Sequence, residues 1–106
     1  MLSVLKQVPD GAMRVLSPTG VLGSGFLEVS FAEGLRRNPH FIGVDAGSTD
    51  PGPFPLGSGK TAFSKRAIKR DLRLLVVGAR QAGIPLLVGS CGTAGGEPHL
   101  RLVYET

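Results

Sequence analysis

Cysteine occurs once in the 106 residues, as Cys91, so no internal disulfide can form and a reducing compartment is expected. Histidine occurs twice, at His40 and His99, and no Cys/His cluster has zinc-ligand spacing. No stretch approaches the ~20 apolar residues of a membrane span, and the opening MLSVLKQVPDGAM lacks the apolar run of a signal-peptide core. These shortages point to a cytoplasmic protein with no membrane partner. Charged residues are 19% and hydrophobic ones 42%, the composition of a globular chain and not of a disordered tail. The length suits one domain with a modest core.

Glycine (16) and proline (8) are plentiful and cluster at the ends of apolar runs. Between these breaks the pattern alternates. MRVLSP reads as a strand, and GFLEVSFAEGLRRN as a helix over 25–37, with Phe26, Val29, Ala32 (or Phe31) and Leu35 near helical spacing. HFIGVDAG is a second strand, and Ser48 to Lys60 a loop. A long amphipathic helix over 61–82 follows, its stripe formed by Ile68, Leu72, Leu75, Val76 and Ala79, with Gly83 as its stop. IPLLVGSCG is a third strand, and Gly95-Gly96-Glu97-Pro98 opens a third helix with Leu100 and Val103 as apolar positions.

The order β-α-β-α-β-α predicts an α/β fold: an open three-layer Rossmann-like unit with a small parallel sheet covered by helices on both faces. Residues 1–12 read as a poorly ordered extension, and residues 13–106 as a partial α/β domain that belongs to something larger. A second chain, or a copy of this one, would cover the sheet edges.

The segment DPGPFPLGSGKTAFS contains the end of a Walker A loop, Gly59-Lys60-Thr61, but the position five before Gly59 is Phe54. Three prolines remove amides from the run that would wrap the phosphates. The better reading leaves Lys60 solvated and makes Thr61 a helix cap. SPTGVLGSG spaces its glycines as G-x-x-G-x-G, which is not the dinucleotide fingerprint. GVDAGSTD resembles the first phosphate loop of sugar kinases and actin-like ATPases, yet Asp50-Pro51-Gly52-Pro53 blocks the hairpin strand that motif requires. The basic arc Lys65, Arg66, Lys69, Arg70 and Arg73 is a solvated helix face without interleaved aromatics, so nucleic acid is not expected as a partner.

Ligands of open parallel sheets bind beyond the carboxyl ends of the strands. Three glycine-rich loops converge there. They supply Thr19, Gly20 and Gly23, then Asp45, Ser48 and Thr49, then Ser90, Gly92 and Thr93 as candidates for a small anion. Asp45, ending a buried strand, is the candidate base, or would orient a metal-bound water. The bland alternative is a loop anchor. Asp45 and Asp50 share one loop and in principle suit Mg²⁺, but no dedicated metal site and no cofactor is identified. Cys91 is expected to be a packing residue, and His99 a surface one.

Taken together, RVLSPTGVLGSGF, FIGVDAGSTDPGP, LGSGKTAFSKRAIKRDLRLL and IPLLVGSCGTAGGEPHL resemble the amino-terminal region of the acyclic terpene utilisation family over about residues 13–105. The resemblance implies a larger α/β protein encoded beside acyl-CoA or amino-acid catabolic enzymes. It also implies a small residue at position 91, in keeping with packing. Two functions follow: the amino-terminal part of a catabolic protein that binds a small carboxylate or acyl-CoA ligand, or a non-catalytic binding or interaction module, down to an inactive remnant.

Overall fold

The computed structural model describes residues 11–47 and 52–106. Among them the elements run β1 (Val15–Leu16), α1 (Glu28–Arg36), β2 (Phe41–Gly47), α2 (Phe54–Ser58), α3 (Lys65–Ala82), β3 (Leu86–Thr93) and α4 (Glu97–Glu105). The strands form one sheet in the order β1-β2-β3, and both pairings are parallel. This is the small parallel sheet of a Rossmann-like unit, as the alternation of patterns predicts.

Register decides which side chains share a face. Val15 stands opposite Phe41, and Gly43 opposite Leu87. These four lie on one face, since residues two apart in a strand point the same way. The other face carries Ile42 and Val44, both buried, and packs on α3, which in turn meets α1. Right-handed crossovers that step the same way along the sheet place their helices on the same side. The described residues therefore build a helical layer on that face, while Val15 and Leu87 opposite stay 52% and 40% exposed.

Helix boundaries are tighter than periodicity suggests. α3 starts at Lys65 and not at 61, because the Ser64 hydroxyl accepts from the Ala67 amide at 3.1 Å and so fixes the first turn. It ends where Gly83 takes φ 68° and its N–H bonds back to the last turn. Its buried stripe is Ile68, Asp71, Leu75, Gly78 and Ala79; Val76, expected inside, is 43% exposed. In α1 the buried residue is Phe31, and Val29 points out at 80% exposure. The segment read as a continuous loop contains α2: a proline in a first helical turn forfeits an amide that would be unpaired anyway, and Gly59 at φ 72° ends the turn. In α4, Val103 is buried and Leu100 is exposed.

The core is one cluster in which Ile42, Leu75, Ile68, Leu22 and Phe31 meet Cys91 and Val103. Each large apolar side chain enclosed there contributes about 1.5–3 kcal/mol before the entropy of ordering is subtracted. None of the described helices is long and apolar enough to cross a membrane.

Candidate functional site

The first loop is closed by the protein's own carboxylate. Asp71, fully buried on α3, accepts from the Gly23 amide at 2.8 Å and the Gly25 amide at 3.0 Å, both at Oδ2. Its Oδ1 accepts from the Arg70 guanidinium at 2.7 Å. Gly23 has φ 102° and Gly25 φ 85°, so two nearby amides are turned onto one oxygen, the arrangement of an anion nest. The G-x-x-G-x-G spacing thus has a local explanation. A Cβ on Gly23 would also stand 2.7 Å from the Phe63 side chain. The Thr19 hydroxyl is buried and donates to the Val21 carbonyl at 3.0 Å. Gly20 is exposed, with open space where a Cβ would be.

The second loop begins at Asp45. Its side chain is exposed, not partly buried, because Asp45 lies on the open face of the sheet. Oδ1 accepts from the Gly47 amide at 2.9 Å, an Asx turn that directs the chain away from the strand. The Asp45 carbonyl accepts from Leu22 N at 2.8 Å and so joins the first two loops. Ser48, Thr49 and Asp50 lie outside the described residues. Among those described, no three His, Cys, Asp or Glu side chains gather to hold a metal.

The third loop is the irregular one. Asp45 pairs with Gly89, but Gly47 pairs with Thr93, so β3 bulges between them. The bulge holds left-handed residues in quick succession: Ser90 at φ 54°, Gly92 at 67°, Thr93 at 82° and Gly95 at 70°. Gly92 is buried against the backbone of His99. Thr93 is buried too, and its Oγ1 accepts from Ala62 N at 2.8 Å while bonding to the Thr61 hydroxyl at 3.1 Å. Ser90 is exposed.

Between this bulge and α2 lies a cleft of about 390 Å³, lined by Gly47, Pro53, Leu56, Ser90, Thr93 and Ala94. Ser90 and Thr93 therefore share this cleft, and Gly92 sits behind them. Thr19, Gly20 and Gly23 do not line it. Pro53 and Leu56 were missed because α2 was read as loop; a proline placed for a first helical turn was the signal.

His99 is buried, contrary to a surface position. Its Nε2–H donates to the Pro55 carbonyl at 2.7 Å and so ties α2, one wall of the cleft, to α4. Its Nδ1, also buried, has no hydrogen-bond partner among the described residues. Lys60 is exposed, and its amide donates to Ser58 Oγ at 3.2 Å. Gly59-Lys60-Thr61 closes α2 instead of opening α3, the reverse of a phosphate loop. Nor does Thr61 cap a helix; it bonds to Thr93 and to the Phe63 carbonyl.

Burial pushes the Cys91 thiol up from its usual value of 9.0. Its Sγ–H reaches the Val88 carbonyl at 3.6 Å, so the sulfur is a packing group and no poised nucleophile. Cys91→Ala should cost about 1 kcal/mol in urea unfolding. The native thiol should react with Ellman's reagent far more slowly than in denaturant. Stability from keeping it neutral is full below the unfolded thiol's range and lost as pH rises through the folded one, so the variant should lose less on alkaline titration. Rapid labelling of the native chain would contradict this.

Comparison of the chain with protein-family models, with curated proteins and with solved structures finds no match.

Proposed function

We propose that the chain is the ligand-binding, amino-terminal α/β part of a catabolic protein like those of the acyclic terpene utilisation family. The cleft between α2 and the ends of β2 and β3 would receive a small carboxylate, free or as an acyl thioester. The observation that carries this reading is the run of left-handed residues along one wall. Ser90 and Thr93 each hold a conformation that costs about 1–3 kcal/mol outside glycine, and such strain persists at ligand clamps. Pro53 and Leu56 give the facing wall an apolar surface suited to an acyl chain, and the Ser90 hydroxyl supplies a donor for the carboxylate.

A binding module without catalysis is the second reading, favoured by the bond from Gly47 N to Asp45 Oδ1, which gives that carboxylate an anchoring job. Calorimetric titration with butyrate and its coenzyme A thioester separates the outcomes. Saturable binding, weakened at least tenfold by Leu56→Asp and by Ser90→Ala, is expected. An absence of heat, or indifference to both changes, would refute the cleft as a ligand site. Asp45→Asn, assayed for turnover in a longer chain carrying the same motif, then distinguishes base from anchor.

A further inference from the structure

α3 carries six of the chain's twelve basic residues: Lys65, Arg66, Lys69, Arg70, Arg73 and Arg80. Its one acid, Asp71, is buried. Among the described residues Arg70 is the one of the six with an ion-pair partner. Arg66, Arg73 and Arg80 are spaced by seven, nearly two whole turns, so they stand in a line along the exposed crest at intervals of about 10.5 Å.

Beside that crest runs an apolar trough between α1 and α3. One stretch, about 360 Å³, has Phe31, Leu35, Leu74 and Gly78 in its walls, with Arg73 and the 47%-exposed Val77 at its lip. Gly78 lets α1 approach α3 closely at its floor: a Cβ there would stand 2.7 Å from the Phe31 ring. Towards the start of α3 a separate hollow of about 490 Å³ lies between the Gly23–Leu27 segment and Ala67, Arg70 and Asp71. From Ala67 to Gln81 the two extend about 21 Å along α3, the length of a four-turn helix.

We propose that this trough docks an acidic amphipathic helix of a partner protein. Apolar side chains at helical spacing fill the trough, and acidic residues at heptad spacing meet Arg66, Arg73 and Arg80. Charge complementarity selects this occupant. Glu28 on the opposite wall repels acids, so the acidic side of the incoming helix must face α3, which fixes its rotation. A base-stacking partner is disfavoured because Phe31 is buried, while Phe26 packs edge-on against it and has the Arg70 guanidinium 5.8 Å from its ring. A lipid surface is disfavoured because the arginines form the crest and much of the apolar surface is recessed behind them.

The test uses the full chain and a fluorescein-labelled 18-residue helical peptide with leucines along one stripe and glutamates at heptad spacing, beside a twin carrying lysines for the glutamates. Fluorescence anisotropy should show saturable binding of the glutamate peptide, at least tenfold tighter than its twin. The triple change Arg66→Glu, Arg73→Glu, Arg80→Glu should reverse that preference, and Val77→Asp should weaken the glutamate peptide at least fivefold, with circular dichroism confirming both folds. Equal binding of the two peptides, or indifference to charge reversal, would overturn the proposal. So would tighter binding, through the same arginines, of phosphatidylserine vesicles or duplex DNA.

Discussion

Asp71→Ala is expected to lower the thermal midpoint by roughly 15 °C. Three charge-assisted or nest hydrogen bonds end on this carboxylate: Gly23 N, Gly25 N and Arg70. Removing it leaves the Gly23 and Gly25 amides without their acceptor and frees the guanidinium that holds the Phe26 carbonyl. A buried donor stripped of its partner costs about 1–3 kcal/mol, so the summed loss is about 3 kcal/mol, and each kcal/mol moves the midpoint of so small a domain by roughly 4–8 °C. Asp71→Asn keeps the shape and one acceptor oxygen and should cost about half as much. A midpoint for the alanine variant within two or three degrees of the native chain would mean the first loop is held by something else. The exposed ion pairs of Glu33 with Arg36 and Glu97 with Arg101 provide the contrast, since breaking either should cost well under about 1 kcal/mol.

Gly47→Ala should be comparably damaging, for a steric reason. A Cβ at Gly47 would run into the carbonyl oxygens of Ser90 and Thr93, both backbone atoms of the bulge. Neither can swing aside as a side-chain end would, so β2 and β3 must part at the cleft. The expected cost is about 3 kcal/mol, at the upper end of overpacking changes. It should appear as a lower urea midpoint and as faster amide exchange around residues 90–95. Gly89→Ala is the matched control: its Cβ position meets nothing within 4 Å, on the strand's open side. That change should be neutral or slightly stabilising, because alanine has less freedom to lose in a strand. If Gly47→Ala unfolds at the same urea concentration as Gly89→Ala, the bulge geometry is not what holds the strand ends.

The alternation of strand and helix was readable in the sequence because each apolar run ends at glycine or proline and the period changes there. The faces were harder. Ala32 and Phe31 were the alternatives for the stripe on α1, and packing against Gly78 chose Phe31, which turns Val29 outward. The start of α3 was obscured by Gly59-Lys60-Thr61, which mimics a helix-opening motif, while the residue that caps the helix is the plain Ser64. The first glycine loop does follow β1, while residues 48–51 of the second lie outside the described residues and much of the third lies within the bulged end of β3. That the first would be filled by a carboxylate 48 residues further on was not legible from the loop itself. Asp71 carried the clue: it falls between Ile68 and Leu75 on an otherwise apolar stripe, where an acid needs a partner. The 82° φ of Thr93 had no local signal, since threonine is a strand residue by preference and the bulge overrides it.

The brevity of β1 has a consequence for how the chain comes apart. Two residue pairs join β1 to β2, against five between β2 and β3. Arg14 and His40 add a reciprocal pair of bonds at 2.8 and 2.9 Å. Opening free energy is therefore unevenly spread, with the β1 end able to detach as its own foldon while the β2–α3–β3 unit stays closed. Detachment would bare the hydrogen-bonding edge of β2 at Phe41 and Gly43, since Ile42 already gives its amide to Pro85 on the β3 side, and that edge is an ideal seat for the same strand of another molecule. Asp71, fastened to the loop that follows β1, acts as a latch against such strand exchange.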